Sequence, residues 1–487
     1  MQTLPRIMLG AAAVLIAPAM TATALAAGQA AASDSRITAV EQQLRDVREQ
    51  LDQMRRQQAA AAQPAVTATQ LADVRRAQSG QYADLKKRLD DQPRLSLANG
   101  RLSVTSRDGA FSLSLRSLVQ FDAGYFSQGR GTDLNSGTNF RRAQVGLVGT
   151  AWKDWSYNFT YDFGGNGIEK SGYIYTASLQ YDFEPFAIRV GAFSPPAGLD
   201  DSTGSGDLIF LERASSADIA RGIAGAPGRE GFNIMAQGER YLLSLAFTGR
   251  KATQTSNFDS QQALVSRAAF LAVDGDNFKW LLDADLTHVF KFTDKAAGAG
   301  SPNTVDLGSG PEVAVTPLNT VDTGSIDADS MTEWGLETAA QSGRFYGQGG
   351  YFHFDVTRRT ALPDPGFSGW YAMAAVSLTG EPRRYDAGSA SFRGLKPVHP
   401  LGKDGWGAWE VAARYSNTDL AFDPLAGAAA GGVTGGEQNI WSVGLNWYPT
   451  AGLRFMLDYD NIQVNHVEAP AGDISASAIA LRSQISL

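Results

Sequence analysis

Apolar and polar residues alternate one for one through most of this chain, most plainly in Trp155-Ser156-Tyr157-Asn158-Phe159-Thr160-Tyr161-Asp162-Phe163. Every odd residue there is aromatic and every even one polar, so an extended strand would carry one greasy face and one wet face. The same alternation recurs at 111–126, 140–150, 173–182, 186–193, 231–238 and 241–249. It continues near 263–273, 278–292, 331–340, 345–357, 367–379, 407–416, 439–448, 453–464 and 476–487, so seven segments and nine more predict sixteen strands. A soluble sandwich would alternate too, but with Val, Leu and Ile on its inner face. A row of large aromatics suits the boundary between lipid and water better.

Tight-turn chemistry separates some of these strands: Trp152-Lys153-Asp154, Glu184-Pro185, Gly238-Glu239-Arg240, Asp274-Gly275-Asp276-Asn277, Gln341-Ser342-Gly343-Arg344 and Pro449-Thr450-Ala451-Gly452. Long polar, glycine-rich stretches separate others, at Ser127–Asn139, Ser194–Arg229, Thr293–Ser330, Asn417–Gln438 and Asn465–Ser475. Short connections on one rim and long ones on the other are the asymmetry of an outer-membrane barrel. The expected fold is all-β: a 16-stranded antiparallel transmembrane barrel. A barrel of that size keeps an aqueous lumen, whereas about eight strands would be filled by their own side chains.

Before Phe111 the period differs. Ile37, Val40, Leu44, Val47, Leu51 and Met54 are spaced alternately by three and four, which puts them on one helical seam. Gln63-Pro64 interrupts the pattern, and Leu71, Val74 and Leu85 resume a weaker version before Pro93. The expectation is a short periplasmic coiled-coil segment over 27–93. It either associates with copies of itself, most simply as a trimer, or lies as an amphipathic helix on its own barrel. Earlier still, Arg6, the apolar stretch Ile7 to Met20 and Ala24-Leu25-Ala26 read as a secretory signal over 1–26. Pro18 breaks its apolar core, which falls short of the ~20 residues of a helical span. No later run reaches ~18 apolar residues, so only a closed barrel, spanning 94–487, could cross a bilayer with its backbone satisfied.

Composition narrows the function classes. A formal net charge of −8 argues against nucleic acid as partner, because counterion release needs a strongly basic face. The absence of cysteine excludes disulfides and thiolate metal sites. His288, His353, His399 and His466 are scattered without metal-ligand spacing, and no G-x-S-x-G elbow, P-loop or dinucleotide fingerprint occurs. Asp274-Gly275-Asp276-Asn277 reads as a hairpin turn rather than a calcium loop. No catalytic residue, cofactor or metal site is therefore expected. A lipase-like barrel enzyme is the rival from a different class, and it would need a Ser/His/acid set at one rim that strand parity does not assemble. A structural barrel with a filled lumen is the third possibility.

Several stretches resemble the phosphate-selective porin O and P family. They include Gly369-Trp370-Tyr371, Leu378-Thr379-Gly380-Glu381, Tyr385, Lys396-Pro397, Gly407-Ala408-Trp409-Glu410-Val411-Ala412-Ala413-Arg414-Tyr415-Ser416 and Asn446-Trp447-Tyr448-Pro449. Phe140-Arg141-Arg142-Ala143, Lys153-Asp154-Trp155, Tyr161-Asp162-Phe163 and Phe210-Leu211-Glu212-Arg213 add to it in the N-terminal half. The resemblance implies a trimeric, sixteen-stranded porin of the bacterial outer membrane, its third external loop folded inward to narrow an anion path. It also implies roles for Arg141 and Arg142 in that path. Barrels of this kind commonly end in an aromatic residue, whereas this chain ends in Leu487, after the apolar row Ile479, Leu481 and Ile485.

Alternation also makes the lumen readable. Arg116, Arg142, Arg189, Arg414, Arg454 and Arg482 fall on inward parity, and all but Arg189 come from strands that become neighbours when the barrel closes. They either form a basic stripe that hands small anions along, or pair with inward carboxylates such as Asp122, Asp162, Asp182, Glu410, Asp458 and Asp460. The constriction is expected in the insert Ser194–Arg229, whose Arg213 and Arg221 face either the basic wall or Glu212, Asp200 and Asp201. Two transport readings stay open: a porin for anions such as phosphate or polyphosphate, and an unselective diffusion pore. The expected partners are small hydrophilic or anionic solutes, outer-membrane lipids and copies of the chain itself.

Overall fold

A computed structural model describes residues 41–57, 67–90, 92–98, 100–165, 172–252, 259–293, 303–402, 405–467 and 472–487. The chain divides into two compact units, 1–90 and 91–487. In the first, residues 41–57 and Ala68–Asp90 are helical. The seam residues Leu44, Val47, Leu51, Met54, Leu71, Val74 and Leu85 are all exposed. Ile37, Val40, Gln63-Pro64 and the secretory-signal stretch lie outside the described residues. No described helix is long and apolar enough to cross a membrane.

The main sheet of the second unit has eighteen strands, two of which form the hairpin Arg94–Ala98 and Arg101–Thr105. The other sixteen make the barrel: β1 (Ser112–Arg130), β2 (Gly137–Ala151), β3 (Trp155–Asp162), β4 (Tyr173–Phe183), β5 (Phe186–Phe193), β6 (Arg229–Gln237), β7 (Tyr241–Lys251), β8 (Gln262–Asp274), β9 (Phe278–Lys291), β10 (Ser330–Ser342), β11 (Phe345–Thr357), β12 (Gly366–Ser377), β13 (Ala408–Phe422), β14 (Val433–Thr450), β15 (Leu453–Asn465) and β16 (Ile474–Ser486). Each pairs antiparallel with the next, and β16 pairs back onto β1 with Leu481 opposite Ala123. Closure leaves no barrel strand with an open edge, which is what the hydrocarbon layer demands. The terminal Leu487 extends this seam, exchanging backbone hydrogen bonds of 2.9 and 3.1 Å with Ser117.

The outer face carries two aromatic belts. Next to the tight turns, Phe111 meets Trp152, Tyr181 stacks on Phe183, and Trp447 stacks on both Trp409 and Phe455. Towards the long loops, Trp334 meets Tyr351, and Tyr415 lies between Trp370 and Trp441. Exposed aliphatics such as Leu147, Leu245, Leu336, Leu457 and Leu481 fill the band between the belts. Amphipathic rings at two levels around a greasy middle fit a bilayer core and its two interfaces.

The structure departs furthest from the sequence pattern in two places. β13 and β14 run on into 417–422 and 433–438, where a loop is expected, because Thr418, Leu420 and Gln438 keep the inward rhythm beyond the last aromatic. The connection 378–407 is long although it leaves from the tight-turn rim. It is not a surface loop: a small hairpin, Arg384–Asp386 with Ser391–Arg393, turns inward and buries Ala390, Phe392 and Leu395.

Candidate functional site

The lumen is built by parity. On β1, Leu118, Gln120 and Asp122 are buried while Phe121 and Tyr125 are exposed, so even residues face inward there. The segment 194–228, between β5 and β6, crosses this space and carries the short helices Leu199–Ser202 and Ser215–Ala224. Its buried stretch Leu208-Ile209-Phe210-Leu211 is bonded to the far wall. Leu211 N–H donates to Asp458 (2.7 Å), Asn446 donates to Ile209 C=O (2.9 Å), and Gln484 donates to Gly206 C=O (2.9 Å).

Arginines complete that attachment. A bulge in β2 sets Gln120 opposite Arg142 and Phe121 opposite Phe140, leaving Arg141 without a register partner. The extra residue lets two consecutive arginines turn inward, which strict alternation forbids. Arg141 grips Glu212 through two hydrogen bonds of 2.8 and 3.0 Å. Arg142 donates to Gln120 (2.8 Å) and stands 4.0 Å from Glu212. Arg482 holds both oxygens of Asp122 at 2.6 Å, reaches Glu212 at 2.7 Å, and also donates to Leu211 C=O. Burial works against the Glu212 carboxylate, but the guanidinium groups of Arg141, Arg482 and Arg142 outweigh it and hold its pKa well below the ordinary value.

Arg414 donates to Glu212 C=O (2.8 Å), pairs with Glu312 from the loop before β10, and lies over the Phe210 ring. Arg454 reaches Ile209 and Gly206 carbonyls at 3.3 and 3.4 Å and lies over Tyr448. Within the insert, Arg213 pairs with Asp200 (3.3 Å) and Arg221 with Asp201 (2.5 Å) and Asp218 (3.3 Å). Arg189 makes its hydrogen bond to neutral Gln180 (2.8 Å) and forms no ion pair among the described residues. Arg116 is half-buried and has neither a hydrogen bond nor an ion pair among them. Of the carboxylates the sequence singles out, Asp122 pairs with Arg482 and Glu410 with Arg383, while Asp162 accepts from the backbone of Ala143 and Gly164.

Three features escape the sequence reading. Arg267, on the inward parity of β8, pairs with Asp283 and bridges to Ser202 Oγ (2.7 Å) and Ser389 C=O (2.8 Å); alternation was the signal that could have found it. Arg383 and Arg393 come from the irregular 378–407 connection and meet the insert at Asp207. Arg383 donates to Asp207 C=O (3.0 Å), Arg393 lies 3.3 Å from its carboxylate, and Gly394 N–H bonds it at 2.9 Å. No local pattern announces those. Polar cavities lie beside the insert. One of about 240 Å³ is lined by Tyr175, Arg189, Asp201, Arg213, Arg221 and Arg267, among others. One of about 160 Å³ lies between Arg141, Glu212, Asp218 and the loop 308–319.

The sequence profile of the family described as phosphate-selective porin O and P matches residues 111–487, the whole barrel. The chain belongs to that family. Porin O of Pseudomonas aeruginosa is 27% identical over 412 residues, covering 79% of this chain and 90% of the relative. An uncharacterized protein of Caulobacter vibrioides is 26% identical over 375 residues, or 74% of this chain and 70% of that one. Among solved structures, the chain is similar to the trimer form of OmpT from Vibrio cholerae (TM-score 0.48, 8% identity, 78% of this chain and 100% of that one). It is also similar to the outer membrane channel DcaP of Acinetobacter baumannii (0.46, 10%, 79% and 99%) and to an anion-selective porin from Comamonas acidovorans (0.45, 10%, 77% and 100%). As a member of the family, this porin resides in the bacterial outer membrane and is a channel rather than an enzyme.

Proposed function

We propose that this porin lets small anions, phosphate and short polyphosphates among them, diffuse passively past the insert 194–228. The observation that carries the reading is Arg189. It lines the 240 Å³ cavity together with Arg213, Arg221 and Arg267, yet its own hydrogen bond goes to a neutral amide. A guanidinium with spare donors and no ion pair among the described residues can bind a passing anion and release it again, as conduction requires. Arg141, Arg142, Arg414, Arg454 and Arg482 serve the path less directly, by fixing the insert and holding a positive field behind it; Arg116 stands ready on the same wall. Asp201, which lines the same cavity, favours the rival reading of an unselective pore.

Single-channel currents in planar bilayers under a potassium chloride gradient, followed by added phosphate and pyrophosphate, test this. An anion-side reversal potential with phosphate block, weakened in Arg189→Ala and Arg142→Ala, supports the proposal. A reversal potential near zero without block leaves an unselective pore. We infer further that the exposed seam Leu44, Val47, Leu51 and Met54 is covered in a homotrimer by the same seam of other copies on the periplasmic side. Native mass spectrometry of the mature protein, with its N-terminus sequenced, reads both the trimer mass and removal of residues 1–26.

A further inference from the structure

β9 and β10 lie half-way round the ring from β1 and β2. On their lumen faces Asp283, Asp285, Glu333 and Glu337 are buried, none more than 6% exposed. Register sets Asp283 opposite Glu337 and Asp285 opposite Gly335. A Cβ at position 335 would collide with Asp285 Oδ1, so the aspartate leans over the glycine into the gap between Glu333 and Glu337. Carboxylate oxygens of Asp283, Asp285 and Glu337 lie within 4.8 Å of one another, and the Glu333 carboxylate abuts that of Asp285.

Protein partners account for only part of this charge. Arg267 takes Asp283 Oδ2, while the Tyr371 hydroxyl and the N–H groups of Leu199 and Asp200 take Glu337. Both oxygens of Asp285, both of Glu333 and Oδ1 of Asp283 are buried without a hydrogen-bond partner among the described residues. Glu333 is only 1% exposed, lies outside the Asp283–Asp285–Glu337 triad, and sets its unpartnered carboxylate against that of Asp285. Carboxylates crowded this closely, away from bulk water, need positive charge or shared protons among them.

We propose that this cluster binds a divalent cation, calcium in preference to magnesium. Every ligand offered is a hard carboxylate oxygen, and the uneven arrangement from two strands suits the flexible coordination of calcium rather than a strict octahedron. The insert begins on top of the cluster: a Cβ at Gly198 would lie 2.5 Å from Glu337 Oε2 and 3.2 Å from Asp285 Oδ1. The ion therefore clamps the start of the insert to the acidic wall, while the arginines clamp its middle to the opposite one.

The test uses full-length mature chain refolded into detergent free of lipopolysaccharide, loaded with calcium chloride and desalted. Elemental analysis is expected to find about one retained calcium per chain, removed by EDTA and absent from the double variant Asp285→Asn/Glu333→Gln. The thermal unfolding midpoint of the unmutated protein falls on chelation and recovers with calcium chloride but not with choline chloride. Equal calcium in the two proteins, or no retained calcium with a midpoint indifferent to EDTA, overturns the proposal and leaves carboxyl groups that share protons. The unmutated protein answers even if the variant does not fold. Metal content is read without any current, so it stands or falls separately from anion conduction.

Discussion

Along β13 to β2 the lumen wall is basic, and the guanidinium groups of Arg141, Arg414, Arg454 and Arg482 are occupied by carboxylates and carbonyls of the segments that enter the barrel. On β9 and β10 the wall is acidic, and much of its charge faces no protein partner. The insert 194–228 touches both, through Glu212 and Leu211 on one side and through Leu199 and Asp200 on the other. The difference teaches how one inward segment can be held from two sides by different means. Where protein supplies the counter-charge, the insert is anchored; where it does not, charge is left for a mobile ion. Opposed walls of opposite sign also lay a field across the passage rather than along it.

The most damaging way to break this arrangement is Arg482→Ala. It leaves Asp122 buried without its cation and takes one partner each from Glu212 and Leu211, a loss on the order of 3–5 kcal/mol for a broken buried pair. Thermal unfolding should register it, and unit conductance should rise as the insert loosens; unchanged values in both would move the anchor elsewhere. Glu212→Gln keeps the shape but removes the anion shared by Arg141, Arg142 and Arg482, so a smaller cost of about 1–3 kcal/mol is expected, with stronger anion preference.

The same residue fixes a pH dependence. Its folded pKa lies below the ordinary 4.5, so its stabilising contribution is complete above that value and is lost only as pH falls through the lower folded one. Conductance and stability attributable to Glu212 should therefore be level from neutrality down to about pH 5, as a pH series of currents and melts would show. On the acidic wall, Asp285→Asn/Glu333→Gln in a calcium-free bilayer should raise the chloride-to-potassium permeability ratio about twofold, seen as a shift in reversal potential. Smallest in structural terms, Arg189→Ala should leave the melt within about 0.5 kcal/mol while lowering that ratio about twofold. A ratio that does not move would take Arg189 out of the path.

The outer surface was legible because one rule governs it: lipid outside, period two along every strand, aromatics at two levels. The strand set and the inward side of Arg142, Arg414, Arg454 and Arg482 follow from that rule. Arg141 does not, because its direction depends on a register shift against β1 that no alternation within β2 reveals. Partners were less readable still. Glu212 and Glu312 reach the same arginine from two different loops, and Arg383 finds Glu410 from a connection with no period at all. Asp283, Asp285, Glu333 and Glu337 each sat on readable inward parity, but their meeting requires Gly335 between them, a vacancy that matters only once the strands are paired.

The small hairpin of 378–407 and the insert come in from opposite rims and lock at Asp207, Ser202 and Ser391. They behave as the two halves of an arch, each holding its curve because the other pushes back. An inner part taken from a relative and grafted here would bring only half of that arch, and the graft would sag unless its counterpart came too. The filling of this barrel is thus a property two segments inherit together, and their lengths should drift in step rather than one at a time.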